Sequence, residues 1–233
     1  MKVPTLMYHE IDDNYSSSRY VLGKDKFEWQ IRYLYENRFK TITADELYIK
    51  RSFGREIIIT FDDGLKNAVK YALPLLKRYN FKAHLFISPG LVGKSGYLDW
   101  DEIKGLGEEF IFGFHGLNHL PLTGLNDADL FREVSKEKLE SRLKRKIDCI
   151  SIPHGAYDKR IEMALRSAGY KYVFTSDPFP NTEKSNPFYL GRFAILRNIS
   201  FCKYARLVKN HRIQLLWEKL FYGIKEKVKK WKK

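Results

Sequence analysis

Residues 57–65 read IIITFDDGL. Three β-branched isoleucines and a threonine lead into Phe61, Asp62, Asp63 and Gly64. A short, unbroken apolar run of this kind predicts a strand buried on both faces. The two carboxylates that end it repel each other unless something positive sits beside them. Outward from this stretch the chain alternates. Strands are expected within 3–9 (VPTLMYH), 39–42 (FKTI), 81–88 (FKAHLFIS), 109–115 (EFIFGFH), 148–155 (DCISIPHG), 170–177 (YKYVFTSD) and 189–198 (YLGRFAILRN). Between them lie helical patterns. Phe27, Ile31, Leu34 and Tyr35 share a helical face, and Thr43 with Glu46 forms a capping box. A helix over 67–79 is expected to break or restart at Pro74, and 127–146 reads as one long amphipathic helix. Strands alternating with helices mean parallel βα units. The expected fold is a distorted or incomplete (β/α) barrel of seven to eight parallel strands, with a C-terminal amphipathic helix; an open doubly wound sheet is the competing architecture.

The 233 residues carry 42 Lys and Arg against 28 Asp and Glu, a net charge of +14. Half of that excess falls between Lys209 and Lys233, where nine Lys and Arg face Glu218 and Glu226. The chain therefore divides into a domain over 1–205 and a basic amphipathic segment over 206–233. Two cysteines, Cys149 and Cys202, make no disulfide framework. The opening MKVPTLMYHEIDD reads as a first strand rather than a leader, and no run of 18 apolar residues occurs. These features place the expected protein in the cytoplasm with reduced thiols.

In an α/β fold, reactive groups gather at the carboxyl ends of the strands. His9 follows the first expected strand, Asp62 and Asp63 end the IIITF strand, and His115 opens the run HGLNH that reaches His119. Pro153, His154 and Gly155 follow the next. His115 and His119 are spaced i, i+4, so a helical turn would set both rings on one face for a single metal. A carboxylate from another strand end would complete the ligand set. Imidazole plus carboxylate suits zinc first, with cobalt, nickel or manganese as alternatives. The cation would offset the repulsion between the paired aspartates: one can bind it while the other acts as a base.

TFDDG, the H-x3-H run and the later PHG resemble the first three motifs of the polysaccharide deacetylase family, the NodB-homology domain of carbohydrate esterase family 4. LMYHEI and FKTITADEL are similar to the subgroup of intercellular-adhesin and poly-N-acetylglucosamine deacetylases. The resemblance reaches to about residue 200. It implies a distorted (β/α) barrel that removes acetyl groups from sugars with a divalent metal. It implies Asp63, His115 and His119 as metal ligands and Asp62 as general base. It also implies an oxyanion-binding or substrate-binding turn at Pro153, His154 and Gly155. The family's third motif opens with an arginine that steadies the base; here Ser151 stands in that place, and Arg192 is the candidate substitute. The family's second motif has Ser or Thr where this chain has Gly116, a loss expected to loosen the loop. No histidine stands in the last strand to serve as the acid. A barrel sets its first strand beside its last, so His9 takes that role, as in the permuted motif order of the subgroup.

The expected activity is metal-dependent removal of the acetyl group from an N-acetylated sugar, in a polysaccharide, an oligosaccharide or a lipid-linked glycan precursor. The rivals are another metal-dependent amide or ester hydrolase and a catalytically silent carbohydrate- or membrane-binding relative. Ile213, Trp217, Leu220, Ile224, Val228 and Trp231 recur at helical spacing among lysines. Residues 211–233 are therefore expected either to lie on an anionic membrane, at the inner face for a cytoplasmic protein, or to pack on the barrel with their last lysines solvated. Nucleic acid is the least favoured reading of the charge, because no base-reading motif accompanies it. The sequence fixes no oligomeric state.

Overall fold

The computed structural model describes residues 2–13, 18–49 and 54–209. Its strands are β1 (Thr5–Tyr8), β2 (Glu10–Ile11), β3 (Val21–Leu22), β4 (Lys40–Thr41), β5 (Glu56–Phe61), β6 (Ala83–Ile87), β7 (Phe110–Phe114), β8 (Cys149–Ser151), β9 (Tyr172–Phe174) and β10 (Phe193–Ala194). Its helices are α1 (Lys24–Glu36), α2 (Ala44–Ile49), α3 (Lys66–Tyr79), α4 (Trp100–Lys104), α5 (Asp127–Glu133), α6 (Glu137–Leu143), α7 (Lys159–Ser167) and α8 (Phe201–Lys209).

The main sheet runs β10-β1-β5-β6-β7-β8-β9, with β4 added against β5, and its strand pairs are parallel. Leu190 forms a parallel bridge with Phe174 of β9, while Phe193 and Ala194 pair with Leu6 and Met7 of β1. The segment 190–194 thus touches both edges, and the sheet curls into a distorted (β/α) barrel. β2 and β3 make a separate small ribbon.

Every residue of β5 is buried, which is why its sequence is apolar without alternation. The alternation appears in the packing instead. Ile57, Ile59 and Phe61 join the outer core against the helices, whereas Ile58 joins an inner cluster with Val3, Phe86, Cys149, Phe174 and Leu190. Successive side chains on a strand face opposite ways, so Ile58, Thr60 and Asp62 form one inward column. The same period of two carries Thr5 and Met7 to His9, Gly113 to His115, and Cys149 to Ser151. The barrel floor is apolar and its upper rim is polar because each column changes chemistry at its carboxyl end.

Some expectations need correction. α3 runs unbroken through Pro74. Lys70 and Pro74 are both exposed, so water can reach the carbonyl that proline leaves unpaired, and buried Ala72, Leu75 and Leu76 anchor both sides. The long helix expected over 127–146 is two helices, α5 and α6. Its ladder is interrupted because the Glu133 carbonyl accepts from the Leu117 N–H at 2.8 Å. Beyond the break, Lys136 turns inward to the carbonyls of Ile147 (2.6 Å) and Gly169 (3.0 Å). The Thr43–Glu46 capping box is present in both directions, at 3.1 and 2.7 Å. Of the segment 206–233, residues 206–209 end α8, and the rest lies outside the described residues. Among the described residues, no helix is long and apolar enough to cross a membrane.

Candidate metal and acid–base site

β5 delivers Asp62 and Asp63 to the rim, and the turn that follows is tight. Asp63 has φ +74° and Gly64 has φ +70°. These left-handed angles split the pair. Asp62 stays buried in its inward column, while Asp63 swings toward the histidine loop.

Around Asp63 two histidine side chains converge. Its Oδ1 lies 3.3 Å from His115 Nε2 and 3.2 Å from His119 Nε2. One ligand atom from each of the three residues falls within 4.8 Å of the others. His115 donates its Nδ1–H to the Ser151 carbonyl at 2.8 Å, so in the neutral ring Nε2 is the lone pair facing the group. Burial alone would raise the Asp63 carboxyl, but hydrogen bonds from His115 and His119 outweigh it and hold Asp63 far below the usual range. Burial would lower His115, yet the charges of Asp62 and Asp63 raise it. Two imidazoles and one carboxylate that hold each other this way are a donor set suited to a divalent cation such as zinc.

The loop carrying the histidines is not the helical turn that the i, i+4 spacing suggested. Gly116 (φ +74°) and His119 (φ +61°) are left-handed, and the rings meet at 4.7 Å through loop geometry. Nor is the loop loose at Gly116. Glu133, a residue the sequence reading passed over, accepts from the Asn118 N–H at 2.7 Å and the Leu120 N–H at 3.1 Å. Its signal in the sequence was a glutamate between Leu130 and Val134 on the apolar stripe of an expected helix.

Asp62 has a different partner. Arg192 is fully buried and reaches up the barrel interior from the start of β10. Its guanidinium meets Asp62 at both oxygens, 2.7 Å to Oδ1 and 3.0 Å to Oδ2. Ser151 Oγ accepts from the same guanidinium at 2.7 Å and donates to Asp62 Oδ2 at 3.2 Å. The Arg192 Nε–H is taken by the Thr175 carbonyl at 2.9 Å. Burial would raise the Asp62 carboxyl, but the charge of Arg192 prevails and lowers it. Ser151 and Arg192 thus sit together on one carboxylate.

β1 pairs with β10, and His9 follows β1 directly. Its Nε2 lies 4.0 Å from Asp62 Oδ2, its ring packs on Tyr20 at 4.4 Å, and burial lowers its pKa against the pull of Asp62. Its Nδ1 is buried without a hydrogen-bond partner among the described residues. Asp12 is bound by Asn67, Asp13 by the Lys24 N–H, and Asp177 by Tyr189. Pro153, His154 and Gly155 form a short turn in which His154 has φ +59°. The His154 ring lies 4.7 Å from that of His119. Pro153 has no N–H, and Gly155 donates its own to the Ile152 carbonyl at 3.1 Å. His84 is a core residue: its Nε2 accepts from the Ala44 N–H at 3.1 Å.

Comparison with known proteins adds to this geometry. The family profile described as Polysaccharide deacetylase matches residues 50–173. A Bacillus subtilis (strain 168) protein with a provisional polysaccharide deacetylase name is 28% identical over 207 residues, covering 85% of this chain and 73% of its own. The poly-beta-1,6-N-acetyl-D-glucosamine N-deacetylase of Staphylococcus aureus is 29% identical over 206 residues, covering 78% and 71%. A Bacillus anthracis crystal structure, also provisionally named a polysaccharide deacetylase, superimposes with a TM-score of 0.82. At 24% identity it covers 90% of this chain and 69% of its own, and so speaks to the fold.

Proposed function

Because the chain belongs to the polysaccharide deacetylase family, we propose that it is a metal-dependent hydrolase that removes the acetyl group from an N-acetylated sugar. The substrate is a polysaccharide, an oligosaccharide or a lipid-linked glycan precursor. A β-linked N-acetylglucosamine oligomer is the first to try, by analogy with the staphylococcal relative. The observation that carries the reading is the pairing of two sites on one rim: a carboxylate gripped by Arg192 beside a carboxylate gripped by two histidines.

Asp63, His115 and His119 would hold the cation, zinc first, with cobalt, nickel and manganese as alternatives. When bound, it supplies Lewis acidity toward an acetyl carbonyl and toward water. The other residues handle protons and charge. Asp62 takes a proton from the attacking water, and Arg192 keeps Asp62 ionised and oriented. The His154 N–H is the donor of its turn assigned to the developing oxyanion. His9 delivers a proton to the amide nitrogen as the C–N bond breaks, and acetate and the free amine leave. His9 is held neutral at rest by burial, and Asp62, 4.0 Å away, can pass it the proton taken from water.

The test is acetate release from N-acetylglucosamine oligomers by zinc-loaded protein, with Asp62→Asn beside it. Release that disappears in Asp62→Asn supports the reading. A zinc-loaded protein that releases no acetate from soluble or lipid-linked N-acetylated glycans sinks it in favour of a silent relative.

The basic, aromatic segment 211–233 supports a second part of the reading, docking on an anionic membrane where lipid-linked substrates are held. Co-sedimentation with vesicles containing anionic lipid should be strong for the full chain and weak for residues 1–210. Equal sedimentation would remove this part.

A further inference from the structure

The residue types between His115 and His119 do not by themselves produce the loop's shape. Two left-handed residues are needed, and one of them, His119, carries a Cβ that disfavours that region. Something outside the loop must hold it. Glu133 ends α5 and is 2% exposed. Its Oε1 accepts the N–H groups of Asn118 and Leu120, the residues on either side of His119, at 2.7 and 3.1 Å. Its Oε2 accepts Asn118 Nδ2 at 3.2 Å, and its main-chain carbonyl takes the Leu117 N–H at 2.8 Å. Among the described residues it forms no salt bridge, and its oxygens face amide N–H groups. A carboxylate buried for packing or for an ion pair has no reason to converge on Asn118 and Leu120, the two residues that flank His119.

Gly116 is the other half of the device. A Cβ built there would lie 2.9 Å from Glu133 Oε1 and 3.0 Å from Pro153 Cγ, at a φ of +74°. A hydroxyl residue at 116 and the carboxylate of Glu133 compete for the same space. Gly116 therefore leaves the space that Glu133 occupies.

We propose that Glu133 is a positioning residue for the metal site: by pinning the amides on both sides of His119, it sets the imidazole where it can meet Asp63 and His115. This rests on the reading of those three residues as metal ligands. Residues that orient ligands from behind typically change metal affinity by about 10–100-fold when removed.

The test compares zinc affinity, by competition with a chelating dye, in wild type, Glu133→Ala, Glu133→Gln and Glu133→Asp. Cobalt absorption provides a second reading of ligand geometry. Glu133→Ala should lose about 10–100-fold in zinc affinity and alter the cobalt spectrum. Glu133→Gln keeps an oxygen for the two main-chain amides but sets its NH2 against Asn118 Nδ2, and should lose clearly less zinc affinity than Glu133→Ala. If the alanine variant does not fold, Glu133→Asp gives the same comparison, since its shorter arm withdraws from the amides. A folded Glu133→Ala or Glu133→Asp that binds zinc like wild type overturns the proposal, as does a folded Glu133→Gln that loses as much as alanine. Intact zinc binding without acetate release counts against the deacetylase reading alone. A wild-type protein that binds no zinc overturns both.

Discussion

Arg192 holds Asp62 by both carboxylate oxygens, at 2.7 and 3.0 Å, inside the barrel and out of water. The two residues are 130 positions apart, and each is buried because the other is there. A buried ion pair of this kind adds little over an apolar pair, but removing one partner strands the other charge.

Arg192→Met should therefore destabilise the fold by about 3–5 kcal/mol, measured by urea denaturation. Asp62→Asn/Arg192→Met should recover part of that loss, because the two changes are coupled. If Arg192→Met and wild type unfold at the same urea concentration, the pair is not buried as described.

The same contact sets a pH limb. If Asp62 is the base as proposed, it works only when ionised, and Arg192 holds its carboxyl below the usual range against the effect of burial. Without that charge, burial raises the carboxyl. The acidic limb of kcat/KM should move to higher pH in Arg192→Met. A limb that stays in place would assign it to another group.

His9→Ala should lower acetate release by about 10²–10⁴-fold, the span typical of a lost proton donor. Zinc affinity should not change, since His9 is not one of the three residues whose ligand atoms converge. Parallel loss of zinc binding would make His9 part of the metal site instead.

Zinc added at about 100 times its Kd should stabilise the folded protein by about 2.7 kcal/mol, visible as a rise in Tm, and a chelator should reverse it. Asp63→Ala should abolish the rise. A rise that survives in Asp63→Ala would place the zinc elsewhere.

His84 governs acid stability away from the site. Burial, with the charge of Arg192, lowers its pKa to about 3. The unfolded chain takes up a proton near pH 6.5 while the folded chain does not, so protonation favours unfolding below that pH. Stability should fall by about 1.4 kcal/mol per pH unit from this group alone between about pH 6.5 and 3. His84→Gln keeps an acceptor for the Ala44 N–H and should show a shallower acid loss. Identical slopes in urea melts across that range would exclude this role.

Much of the barrel was legible because its strands announce themselves locally. IIITF and the apolar runs over 81–88 and 109–115 need no partner to be recognised, and their carboxyl ends name Asp62, Asp63 and His115. His9 required one topological step, that a barrel joins its first and last strands, and the β1–β10 pairing supplies the geometry for it. Arg192 was reachable only by asking what could replace the residue missing at Ser151. Glu133 left only a faint trace, its place on an apolar stripe beside Leu130 and Val134. A glutamate in a helical pattern reads as a solvated charge, and only the fold turns it toward amides 13 and 15 positions earlier. For the same reason the break between α5 and α6 was hidden: the carbonyl that leaves the helix does so for Leu117, outside any local window. The left-handed angles at Asp63, Gly116 and His119 are likewise imposed by distant contacts.

The position of Arg192 has a consequence for the order in which the protein becomes competent. During synthesis the segments bearing Asp63, His115 and His119 are complete well before residue 192 appears. Asp62 on that chain has no counter-charge, and the barrel has no closing segment between β9 and β1. If Asp62 is the base as proposed, closure of the sheet and the arrival of its counter-charge are the same late event, and a chain that lacks its last strand should release no acetate.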